Sequence, residues 1–126
     1  MAVLVPNVNG QQSTRVTFSS LGPCGQVGIG PQFQASGLTY LYYWVTHPMV
    51  MYVLDIASAV QWSSGPFGWI ACAPSSGNWV RYTLGLGDEP LPLTGRIDLN
   101  LPANSYVVVF VAPSSETNPT ATVSLG

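Results

Sequence analysis

The stretch Arg96-Ile97-Asp98-Leu99-Asn100-Leu101-Pro102-Ala103-Asn104-Ser105-Tyr106-Val107-Val108-Val109-Phe110-Val111 decides the fold class. Its first six residues alternate polar and apolar without a break, the period of a strand with one wet face and one face in a core. Its last six are apolar at every position, which fits a central strand whose second face is also covered, by a loop or by another subunit. Pro102-Ala103-Asn104-Ser105 between them is turn chemistry, so the stretch predicts a hairpin joining residues 97–101 to 106–111.

The same signals recur on either side. Residues 15–18 (RVTF) and 120–125 (TATVSL) alternate, while 67–73 (FGWIACA) and 78–84 (NWVRYTL) read as further strands. The segment 38–60 (LTYLYYWVTHPMVMYVLDIASAV) is apolar enough to raise the question of a membrane span, but His47, Pro48 and Asp55 interrupt it. Two strands joined near His47-Pro48 explain it better. Clusters at 63–66 (SSGP) and 74–78 (PSSGN) mark turns. Eleven Pro and thirteen Gly disfavour helices, and no amphipathic helix of credible length is visible.

The expected architecture is all-β: an antiparallel β-sandwich of about eight short strands, with a jelly roll as one arrangement of it. A chain of 126 residues has room for one domain, assigned to residues 14–126 and preceded by a polar N-terminal arm over 1–13. Residues 19–37 hold five Gly and two Pro and read as a Gly/Pro-rich loop of the kind that binds a partner.

Charge is scarce. Arg15, Arg81, Arg96, Asp55, Asp88, Asp98, Glu89 and Glu116 are the whole complement, 6% of the chain where about 25% is usual. With a net charge of −2 and no basic cluster, nucleic acid and anionic membrane surfaces are excluded as electrostatic partners. A free monomer ordinarily shows water a charged surface, so part of this one is predicted to be covered by other chains. The start MAVLVP has no basic segment and only a five-residue apolar run, so it is not a secretory signal, and Cys24 and Cys72 are expected to be free thiols.

Catalytic chemistry finds little support. His47 is the sole histidine, a Ser-His-Asp reading lacks the Gly-x-Ser-x-Gly elbow, and its neighbour Pro48 makes it a strand-end residue. Asp88-Glu89 could offer oxygens to a hard cation, but the spacing matches no EF-hand and a solvated turn is expected. Asp55, inside an apolar strand, needs a partner if buried, an Arg or backbone amides. Gly22, Gly25, Gly28 and Gly30 lack the strand-loop-helix setting and the Lys of a phosphate loop. No catalytic, cofactor-binding or metal-binding residue is assigned, and no enzyme is predicted.

The aromatic residues are more suggestive. Trp44, Trp62, Trp69 and Trp79 cluster with five tyrosines in the middle of the chain. Strand geometry puts Tyr40, Tyr42 and Trp44 on one face and Leu41, Tyr43 and Val45 on the other. Such a set serves a core and subunit interface, or a stacking platform for sugar rings.

In general character (a short all-β chain, turn-rich, with a polar arm and few charges) the sequence resembles the small decoration, or cement, proteins of tailed phages. These sit on capsid lattices as trimers or monomers. The resemblance rests on no motif, so it transfers no residue. It implies a structural protein of the virion, made in the host cytoplasm without a signal peptide, with the major capsid protein and itself as partners. A homo-oligomer, a trimer first, is the expected form, with no cofactor, nucleic acid or membrane. Val3, Leu4 and Val5 of the arm and Val27, Ile29 and Phe33 of the loop are the expected contacts. Two alternatives stand beside this. One is a subunit of an extracellular filament or surface layer joined by exchange of the 120–125 strand; the other is a carbohydrate-binding module using the Trp/Tyr face, with Trp44, Trp62, Trp69 and Trp79 as its aromatic surface.

Overall fold

A computed structural model describes residues 7–8, 11–22, 25–62, 79–85, 91–113 and 115–125. The all-β class holds. Strands β1 (Asn7–Val8), β2 (Gln11–Gly22), β3 (Gly25–Val45), β4 (Met49–Asp55), β5 (Trp79–Leu84), β6 (Thr94–Ala112) and β7 (Ala121–Leu125) are joined by antiparallel pairings in the order β1-β2-β7-β3-β6-β4-β5. One short helix, α1 (Ile56–Trp62), follows β4. The expected strands at 15–18 and 120–125 lie within β2 and β7; the one at 67–73 and the turns at 63–66 and 74–78 are outside the described residues.

Three expectations are corrected, two of them at proline or glycine positions. Pro102 does not turn a hairpin. β6 runs through it unbroken alongside β3, and between the pairs Ala35↔Asn104 and Gly37↔Leu101 it carries one extra residue. That is a β-bulge, one of the few sheet positions proline tolerates, because the missing N–H is not needed there. Pro31 occupies the mirror case, where β3 carries the extra residue between Ile29↔Val109 and Gln32↔Val107. The supposed loop 19–37 is therefore mostly strand: the end of β2, whose Gly22 pairs with Gly25, and the first half of β3. Gly28 is there for close approach rather than for a turn. A Cβ on it would lie 2.5 Å from Val16 Cγ1 and 2.9 Å from the Phe18 ring. The polar arm is likewise partly sheet, since Asn7 and Val8 pair with Gln12 and Gln11, and Gln12 and Ser13 continue onto β7.

The bulges let the long strands double back. β3 pairs with one end of β6 at Trp44↔Thr94, and β4 pairs with the other at Val50↔Val111. A straight strand would hold those ends about 56 Å apart, yet the chain from Val45 to Val50 reaches at most about 17 Å. β6 must fold over itself, and β3 with it. β2 follows the same bend, pairing with β7 through its first half and with the start of β3 through its second. The described strands form one continuous sheet with two facing halves.

Between the halves lies the main core. Leu41, Val45, Val123 and Leu125 come from one half, Met49, Met51, Val53, Val108 and Phe110 from the other. A second cluster occupies the outer face of the β4–β6 half, where α1 lies over it: Val27, Tyr52, Leu54, Val107 and Val109 pack with Trp62. This explains why residues 106–111 are apolar on both faces. Among the described residues the cover is the chain's own helix. Asp55 caps that helix, its Oδ1 accepting the Ser58 backbone N–H at 2.8 Å, so the buried carboxylate has the amide partner expected for it.

Four tyrosines are anchored in this framework, and burial is the first cause that raises each pKa above the ordinary 10.0. Tyr43 donates its hydroxyl to the Pro92 carbonyl at 2.7 Å and Tyr106 to that of Pro102 at 2.6 Å. For Tyr106 the nearby Asp55 charge adds to burial, while for Tyr52 the Arg81 guanidinium opposes it. In the unfolded chain these phenols ionise near 10, but in the folded chain they hold their protons longer. Their contribution to stability is complete below that pH and is lost as pH rises through the folded values. Alkaline titration is expected to release these phenolates together with unfolding. Phenolate absorbance rising in full before the circular dichroism changes would contradict the burial.

Candidate interaction surfaces

Two outward faces stand out among the described residues, one on each half of the sheet. On the half formed by β2, β7, β3 and the start of β6, inward positions Leu41, Tyr43 and Val45 are buried, as the strand period predicts. The alternate positions Leu38, Tyr40, Tyr42 and Trp44 point outward. Tyr40 and Tyr42 are half-buried, while Leu38 and Trp44 are each 62% exposed. Across the ladder, Tyr40 pairs with Asp98, Tyr42 with Arg96 and with Ser124, and Trp44 with Thr94 and Thr122.

An ordered charged pair lies alongside this stripe. Arg96 Nε meets Asp98 Oδ1 at 2.9 Å, and the guanidinium carbon sits 4.9 Å from the centre of the Tyr40 ring. The Arg96 pKa is raised above its ordinary value by a hydrogen bond with the Tyr42 hydroxyl first and by the Asp98 charge second. A long side chain that would otherwise sweep through solvent is thereby laid flat on the aromatic surface.

The second face is a shallow, mostly apolar cleft of about 130 Å³ beside α1, lined by Ile29 and Gln32 of β3, Ile56, Ala59 and Val60 of α1, and Val107 and Val109 of β6. Ile29 and Val60 stand out at its rim, both more than half exposed.

The expected site residues divide accordingly. Ile29 is exposed and available to a partner. Val27 and Phe33 are not: Val27 is buried under α1, and Phe33 is in the core with its ring 5.8 Å from that of Tyr106. Both follow from the strand that replaced the loop, because β3 directs alternate residues inward and its bulge at Pro31 resets which ones. Trp62 is also removed from the candidate aromatic surface, since it is buried and packs edge-on against Tyr52 at 5.1 Å. Trp44 alone of the four tryptophans has a described, outward side chain. Trp79 begins β5 opposite Leu54; its side chain, together with Trp69, Val3, Leu4, Val5, Cys24, Cys72, Asp88 and Glu89, lies outside the described residues. Leu38 and Val60 were missed by sequence reading, as was the Arg96–Asp98 pair as a partner of the tyrosines. The alternation placed Arg96 and Asp98 on a wet face, but the register that sets them beside Tyr42 and Tyr40 is a long-range property.

His47 has a structural setting. Its Nδ1 is 2.9 Å from Thr46 Oγ1 and its Nε2 is 3.6 Å from Glu116, while Thr46 Oγ1 accepts the Thr120 N–H at 2.9 Å. The group ties the β3–β4 turn to the segment before β7. Among the described residues no three His, Cys, Asp or Glu side chains gather as metal ligands, and no helix is long and apolar enough to cross a membrane. Comparison of the chain with protein-family models, curated proteins and solved structures returned no match.

Proposed function

We propose that this chain is a non-enzymatic structural protein that adheres to a protein lattice, the outer surface of a virion capsid being the lattice its character fits best. The observation that carries the reading is the composition of its outward faces. In a chain with eight charged residues, five large apolar side chains stand exposed among the described residues: Leu38 and Trp44 on one face, Ile29 and Val60 at the cleft, and Val80 on β5. Apolar area removed from water contributes about 25 cal/mol per Å² before ordering costs, so faces of this kind favour contact with another apolar surface. The doubled sheet around one core also suits a part whose task is to hold shape. In this reading the Ile29–Val60 cleft receives an apolar side chain of the capsid subunit.

Particles from cells producing the protein, separated on a density gradient, test this. The chain is expected to travel with the particles and to be reached by antibody on their outer surface. Ile29→Asp and Val60→Asp are each expected to weaken attachment by about tenfold or more while leaving the fold intact, because both side chains are already exposed. A chain absent from the particles overturns the capsid reading; attachment unchanged in both variants overturns the role of the cleft.

A further inference from the structure

The geometry points to a second copy of this chain as the occupant of the outer face of β3, β6 and β7, apposed through a two-fold axis that crosses β3 between Tyr40 and Tyr42. The inference is independent of the capsid reading, because this face and the Ile29–Val60 cleft are on opposite outer sides of the doubled sheet.

The register carries it. Along β3 the outward residues run Leu38, Tyr40, Tyr42, Trp44, and their β6 neighbours in the same rows are Asn100, Asp98, Arg96 and Thr94. An axis perpendicular to the strands exchanges the Tyr40 row with the Tyr42 row. It therefore sets Arg96 of each copy over Asp98 of the other, Tyr40 over Tyr42, and Leu38 over Trp44. One face thus supplies both halves of every contact, as an isologous interface requires. The two most exposed apolar side chains of the face cover each other, and two ion pairs form between copies beside the axis. Sheets packed face to face rotate by about 30°, which displaces the central rows least.

The other simple arrangement lacks this match. A two-fold axis running along β3 would lay β6 over β7, leaving Arg96 facing the Ser124 row and Asp98 without a cation from the partner. The charged pair is also prepared for a second partner. A guanidinium has five donors and a carboxylate accepts several hydrogen bonds, so the Arg96–Asp98 pair within one chain leaves capacity for a four-membered charge ring across the axis. Tyr40 and Tyr42 hold Arg96 in place beforehand, reducing the side-chain entropy lost on docking. A face three strands and about 15 Å wide and about 20 Å long is smaller than a standard interface, so pairing is expected to be weak and to depend on concentration.

Sedimentation equilibrium over a broad concentration range is the test. The unaltered chain is expected to move between monomer and closed dimer. Arg96→Asp leaves two carboxylates on the face and Asp98→Arg leaves two guanidiniums; each is expected to weaken self-association by about tenfold or more. Mixed together, the two variants are expected to form a heterodimer, because the axis sets the acidic pair of one over the basic pair of the other. The same mixture guards against misfolding, since circular dichroism verifies each variant and recovery of pairing requires both to be folded. The proposal is overturned if the unaltered chain stays monomeric, closes as a trimer or grows without limit, or if the single variants pair as well as the original. It is equally overturned if two folded variants fail to pair with each other. A monomer whose tryptophan fluorescence responds to cello- or chito-oligosaccharides would assign the face to sugar rings instead.

Discussion

Phe110→Ala is expected to lower the free energy of unfolding by about 3–5 kcal/mol, read as a fall in the denaturant midpoint at unchanged slope. Phe110 is fully buried between the two halves of the sheet. It is paired across the ladders with Gly28 of β3 and Met51 of β4, and its ring lies 6.4 Å from that of Phe18 on β2. Phe18 and Val16 press on Gly28 from the same side, so four strands meet around this one ring. Truncation leaves a cavity bordered by backbone and by branched side chains already in contact, which cannot collapse to fill it. A domain of this size has about 5–15 kcal/mol of stability in total, so the loss would be a large share. A change below about 1 kcal/mol would mean that the two halves of the sheet are not joined through Phe110.

That junction also marks where sequence reading succeeds and where it stops. The alternation in residues 96–101 and the apolar run 106–111 are local properties, and they identify strand and burial correctly because side-chain period depends only on neighbouring residues. Whether Pro102 turns the chain or sits in a bulge depends on what lies opposite it. Turn and bulge share the same local chemistry, and only the register with Ala35 and Gly37 separates them. The glycines of 22–30 mislead in the same way: Gly28 signals flexibility in isolation but close packing once Val16 and Phe18 are set against it. α1 escaped notice because seven residues carry too little periodicity to announce a helix, although Asp55 three positions before Ser58 is a recognisable cap. The aromatic stripe was legible as a face, since Tyr40, Tyr42 and Trp44 share one parity. Its charged border was not, because it is contributed by β6 more than fifty residues later.

Trp62 and Trp44 separate stability from function on this surface. Trp62→Ala is expected to cost about 3–5 kcal/mol, and Trp44→Ala less than about 0.5 kcal/mol. Trp44 lies near the end of β3 and Trp62 ends the helix that follows β4. Trp62 is 3% exposed, the last residue of α1, and its ring packs against Tyr52. A helix of seven residues has no stability of its own in water, so it stays on the sheet only through such anchors. Without the indole, α1 is expected to loosen and uncover Val27, Leu54, Val107 and Val109, which a dye that fluoresces on apolar surface would detect. Trp44 has no comparable load: it stands on the outer face, 62% exposed, and its removal takes surface from the proposed dimer contact rather than from the core. The pair of variants should therefore diverge, one less stable and dye-binding, the other stable but impaired in self-association. If Trp62→Ala proved as stable as the unaltered chain, α1 could not be what covers the second face of residues 106–111.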